Sequence, residues 1–102
     1  RQTMATTPEG KVKKRVRQVL DSLGAYYVMP VTGGYGNSGA PDFLVCLRGK
    51  FIGIETKAGK GKTTLLQEMN LDRIQKAKGF ALVVREADVE SLDTFAQRLL
   101  EL

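Results

Sequence analysis

Between Glu9 and Leu23 the apolar residues Val12, Val16, Val19, Leu20 and Leu23 recur at helical spacing, with basic residues filling most of the positions between them. That stripe predicts an amphipathic helix with Thr6 or Thr7 as its N-cap, Pro8 in its first turn and Gly24 at its end. AYYVMPV, residues 25–31, predicts a first strand, and TGGYGNSGA, residues 32–40, a loop without periodicity. PDFLVCLRGKFIGIETK, residues 41–57, holds two apolar runs around Arg48-Gly49 and predicts a hairpin. After the basic loop AGKGKTT, residues 58–64, the positions Leu65, Leu66, Met69, Ile74 and Ala77 predict a second helix that Gly79 stops. FALVVR, residues 80–85, is a continuous apolar run of the kind expected for a strand buried on both faces. Asp88 is expected to cap a last helix running along Leu92, Phe95, Ala96, Leu99 and Leu100. The predicted order is αβββαβα, an α/β sandwich with a central mixed sheet whose early strands are antiparallel.

Composition narrows the chemistry. A chain of 102 residues with 42% hydrophobic content suits one domain, expected over residues 8–102. Residues 1–7 read as an irregular terminus outside that domain, with Met4 a candidate natural start. Sixteen basic and 11 acidic residues give a net charge of +5, which favours a polyanionic partner over a neutral or basic one. The chain contains no histidine, which removes Ser-His and Cys-His catalysis and most zinc sites. Its single cysteine, Cys46, argues against a disulfide framework and for a reducing compartment. No apolar run is long enough to span a membrane and no signal-peptide pattern is present, so a cytoplasmic, intracellular protein is expected. Catalysis by such a chain must use carboxylates, lysine or a metal held by oxygen.

The hairpin supplies those groups. A turn at Arg48-Gly49 makes facing residue numbers sum to a constant, so Leu47 faces Lys50, Val45 faces Ile52, Phe43 faces Ile54 and Asp42 faces Glu55. Alternation then places Asp42, Glu55 and Lys57 on one face, with Phe43, Val45, Ile52 and Ile54 on the other. Like charges directly opposed in a sheet destabilise it. A hard cation such as Mg²⁺ or Mn²⁺ would turn the repelling carboxylates into a chelating pair, and Lys57 would face whatever the ion holds. Together these groups suffice for phosphodiester hydrolysis. The plainer alternative is a polar hairpin end in which Lys57 neutralises either acid, and a three-residue turn would put the acids on opposite faces.

Pro41-Asp42 and Glu55-Thr56-Lys57 at hairpin spacing, within an αβββαβ order, resemble the PD-(D/E)XK nuclease superfamily, whose fold is restriction-endonuclease-like. A glutamate opening the first helix, a glycine-rich segment before Pro-Asp and a glutamine in the following helix resemble more narrowly the VRR-NUC family. Its members include stand-alone phage and bacterial proteins similar to Holliday junction resolvases, and the nuclease domain of a eukaryotic crosslink-repair enzyme. The resemblance implies metal ligation by Asp42, Glu55 and the backbone carbonyl of Thr56, with Lys57 as the catalytic lysine. It makes Glu9 a further metal ligand and Gln67 a catalytic residue that positions the lysine or a water. Glu9 also fits a capping box in Thr6-Thr7-Pro8-Glu9, and a helix glutamine is otherwise an ordinary surface choice. Some relatives carry a histidine shortly after this glutamine, where this chain has Glu68, Met69 and Asn70.

The implied activity is that of a divalent-metal-dependent endodeoxyribonuclease in DNA repair and recombination, selective for four-way junctions or other branched DNA. Symmetrical cutting of two strands requires two active sites, hence a homodimer. A catalytically inactive DNA-binding module of the same fold is the alternative. A subunit whose basic helix docks on an acidic protein partner is a third possibility. Lys60 and Lys62, just past the catalytic strand, are candidate phosphate contacts, as are Lys11 and Lys14 of the first helix unless they form a solvated face. Tyr35 is a candidate for stacking on an unpaired base, or for packing onto the protein. GKGKTT is similar to a phosphate-binding loop, but the pattern needs glycine where Thr56 stands.

Overall fold

The computed structural model describes residues 7–31 and 39–102. The expectations for residues 1–6, for most of the glycine-rich loop and for Tyr35 lie outside the described residues.

Helix α1 spans Pro8–Ser22, β1 Tyr26–Val28, β2 Phe43–Leu47 and β3 Lys50–Thr56. Helix α2 spans Leu65–Lys76, β4 Phe80–Val84 and α3 Leu92–Leu100, with a 3₁₀ turn at Glu86–Val89 before α3. The strands form one sheet in the order β1-β2-β3-β4, antiparallel except for the parallel β3–β4 pair. This is the predicted order and the predicted mixed sheet. Arg48 and Gly49 both have positive φ, 55° and 82°, which makes the hairpin turn the two-residue type that matches strand twist. The register follows, with Phe43 opposite Ile54, Val45 opposite Ile52 and Leu47 opposite Lys50.

One face of the sheet carries Phe43, Val45, Ile52, Ile54 and Val84, packed with Val12, Val16 and Leu20 of α1 and Phe95 and Leu99 of α3. On the opposite face α2 lies over β3 and β4. Gly53 permits this approach, since a Cβ there would stand 2.6 Å from Ile74 Cδ1 and 3.2 Å from Pro41 Cγ.

Several expectations change. Strand β1 is three residues long, not seven, and Pro30 lacks the N–H that its extension would need. Strand β4 is mostly half-buried rather than buried on both faces, and among the described residues it lies at the sheet edge with β3 as its one neighbour. Helix α2 turns inward along Gln67, Leu71 and Ile74, while Leu65, Leu66 and Met69 are exposed. The N-cap of α1 is Thr7, whose hydroxyl accepts from Gly10, so Glu9 belongs to no capping box. Ser91 caps α3, whereas Asp88 accepts from the Arg85 N–H within the 3₁₀ turn.

Candidate active site

The carboxyl end of β3 meets the N-termini of α1 and α2. Glu55, Thr56 and Lys57 arrive there from β3, Asp42 from the approach to β2, Glu9 from α1 and Gln67 from α2. An acid near a helix N-terminus is favoured by the peptide dipoles, so this end of the sheet tolerates more negative charge than open strand ends would.

Asp42 does not extend the ladder. Pairing stops at Phe43 with Ile54, and Asp42 lies at a bend where it reaches Thr56 instead of standing squarely opposite Glu55. Its Oδ2 accepts from the Thr56 N–H at 2.9 Å and from the Thr56 hydroxyl at 2.6 Å. Two donors on one oxygen fix the carboxylate and leave Oδ1 for a cation. Strict alternation therefore fails at the last residue, because a side-chain bond replaces the ladder bond that would have kept the pleat.

Glu55 is buried beneath α2, with 2% of its side chain exposed. Its Oε2 accepts from Gln67 Nε2 at 3.1 Å and lies 3.6 Å from Lys57 Nζ. Its Oε1 is buried and has no hydrogen-bond partner among the described residues. Burial, and then the charge of Asp42, raise the Glu55 carboxyl from its ordinary 4.5 to about 7, against the opposing pull of Lys57. An orphaned buried carboxylate oxygen is costly, and protonation or a cation relieves that cost.

Gln67 is held from both sides. Its Oε1 accepts from the Thr64 N–H at 2.9 Å, while its own N–H donates to the Thr64 hydroxyl at 3.1 Å, closing a capping box. The carbonyl end of the amide is thereby committed to the helix cap, so its NH₂ end faces Glu55. Thr64 is thus part of the site's support, and the T-x-x-Q spacing was a signal for it in the sequence.

A second residue emerges only in three dimensions. Lys13 Nζ lies 3.7 Å from Glu9 Oε2 and 3.7 Å from Asp42 Oδ1, bridging helix and hairpin. The i,i+4 spacing to Glu9 was readable, but the approach to Asp42 was not. Among the described residues no group of three or more Asp, Glu, Cys or His side chains is gathered closely enough to hold an ion as it stands.

Lys60 and Lys62 are exposed on the loop after β3. That loop is anchored by the Glu86 carboxylate, which accepts from the Gly59 N–H at 2.9 Å, and by Arg85, which donates to the Gly59 carbonyl. Lys11 and Lys14 are not brought to the carboxylates: they line the side of α1 toward Leu92, with Arg15 and Gln18. Arg15 donates to the Val89 carbonyl and so buttresses the 3₁₀ turn.

Asp42, Glu55 and Lys57 gathered at the end of a mixed sheet between two helices define a restriction-endonuclease-like nuclease fold. A solved structure described as a VRR_NUC domain shares it, with a TM-score of 0.69 and 30% identity over 93% of this chain and 96% of that one. The chain belongs to the VRR-NUC family and is a nuclease domain of that family. No family model and no curated protein matches it.

Proposed function

We propose that the chain is a divalent-metal-dependent endodeoxyribonuclease that cuts branched DNA, four-way junctions in particular, as a homodimer. The observation that carries the metal is the orphaned Glu55 Oε1 beside Asp42, whose Oδ1 is its one oxygen left free of Thr56. Two carboxylates with open oxygens suit Mg²⁺ or Mn²⁺, which retain waters and take the rest of their ligands from substrate phosphate. Asp42 and Glu55 would hold the ion, with Glu9 and the Thr56 carbonyl as further donors. Such an ion supplies Lewis-acid polarisation of the phosphoryl oxygen and a water of lowered pKa.

The protein's own groups do the rest. Gln67 keeps Glu55 oriented through a hydrogen bond to Oε2, leaving Oε1 toward the site. Lys57, with 12% of its side chain exposed, places its ammonium beside Glu55, where it orients the attacking water and stabilises charge developing on the phosphate. A cleft of about 630 Å³ lined by Pro8, Glu9, Lys13, Ala58, Gly59 and Glu86 begins at Glu9 and Lys13 and would take the DNA backbone on its Lys13 side, with Lys60 and Lys62 of the adjoining loop on the phosphates. The homodimer gives two such sites for paired cuts.

Cleavage of a labelled four-way junction and a linear duplex of matching sequence, with Mg²⁺, Mn²⁺ or EDTA, tests this reading. Metal-dependent, symmetrical nicks in the junction alone are expected. Equal cutting of both DNAs removes the junction preference. Salt-dependent binding without cutting, in either metal, replaces the nuclease with a non-cleaving DNA-binding module.

A further inference from the structure

We propose that Lys13 is a resident counter-ion of the metal-free site: its ammonium occupies Glu9 and Asp42 in place of a divalent cation and competes with that cation for them. The inference rests on the metal-binding reading above. Asp42 Oδ2 is saturated by Thr56, so Oδ1 is the oxygen a cation must use, and Lys13 Nζ stands 3.7 Å from it. The same ammonium stands 3.7 Å from Glu9 Oε2, so one side chain draws on two proposed ligands from different elements.

The geometry suits a removable ion. Neither contact is within hydrogen-bonding distance, so the ammonium is held by charge rather than by a directional bond. A third of the Lys13 side chain is exposed, 34%, against 12% for Lys57, so Lys13 can swing into water while Lys57 stays. Charge balance points the same way. With Glu9, Asp42 and Glu55 all ligating as carboxylates, a divalent ion and Lys57 together balance their three charges, so a site that holds the ion needs no second ammonium and Lys13 in place would leave it positive.

Calorimetric titration of Mn²⁺ into the wild type, Lys13→Gln and Lys13→Arg, in the absence of DNA, tests this. Removing the competing charge is expected to tighten Mn²⁺ binding roughly tenfold in Lys13→Gln. Lys13→Arg, which restores the cation, is expected to bind as the wild type does. Unchanged or weaker binding by Lys13→Gln, with the wild type binding normally, overturns the counter-ion while leaving the metal site standing. No binding by any of the three chains overturns both. Circular dichroism of each variant verifies that the fold is retained, and a Lys13→Met variant repeats the comparison if the glutamine form does not fold.

Discussion

Glu55 carries the largest electrostatic penalty at the site, and its consequences are measurable. In the metal-free folded chain it keeps its proton to about pH 7, whereas unfolded it would release it near the ordinary 4.5. Between those values the folded state binds more protons, so this contribution to stability is fully present below about 4.5 and is lost as the pH rises through about 7. The melting temperature of the metal-free protein is expected to fall across that window, and Glu55→Gln to flatten that part of the profile. Lys57→Ala and Asp42→Asn are each expected to reduce DNA cleavage by about 100-fold or more while leaving the circular dichroism spectrum unchanged. Cleavage by either variant at the wild-type rate would remove it from the catalytic set. The hairpin turn and its register were legible in the sequence, and with them the gathering of Asp42, Glu55 and Lys57 at one end of the sheet. What alternation could not reveal was that Asp42 leaves the pleat for Thr56, because the pleat constrains a side chain only while the ladder continues.

At the scale of elements, the placement of α2 decides whether Glu55 has its partner. Gly39 is buried under this helix, and a Cβ there would stand 2.6 Å from Leu66 Cγ and 2.7 Å from the Leu66 carbonyl oxygen. Because one obstacle is backbone, Gly39→Ala must displace the helix; it is expected to cost about 1–3 kcal/mol in urea denaturation and to weaken cleavage by shifting Gln67. The capping threonine gives a gentler perturbation: Thr64→Ala is expected to cost about 1 kcal/mol in the same measurement. The inward stripe of α2 was misread from sequence because two of its members, Gln67 and Asn70, are polar, while the apolar Leu65, Leu66 and Met69 face outward. A period count that scores only apolar residues loses the phase of a helix whose buried face serves an active site.

At the scale of the molecule, the described residues cover the sheet unevenly. On the α2 side, Tyr26 and Val28 of β1 and Phe51 of β3 are 74%, 45% and 45% exposed, and Cys46 beside them on β2 is exposed as well. Register makes these neighbours: Tyr26 pairs with Cys46, and Cys46 with Phe51. This exposed apolar face is the place at which the proposed homodimer is tested. Phe51→Glu is expected to give a monomer by light scattering and to convert paired cuts into single nicks; a dimeric Phe51→Glu chain would place the interface elsewhere. The mixed sheet was legible from the order of elements, but its uncovered half was not, since the pattern of β1 says nothing about how far α2 extends across the sheet.

The parallel pairing of β3 with β4 has a bearing on biosynthesis. The Lys57 N–H bonds to the Val84 carbonyl, and Glu55 and Thr56 pair with Val83 and Val84. A ribosome that has translated through residue 76 has already made Asp42, Glu55, Lys57 and Gln67, yet β3 then has an open edge and its catalytic end lacks the strand that aligns it. These side chains thus precede in the chain the strand that pairs with the end of β3, so a translation product interrupted between residues 76 and 80 carries them without that pairing.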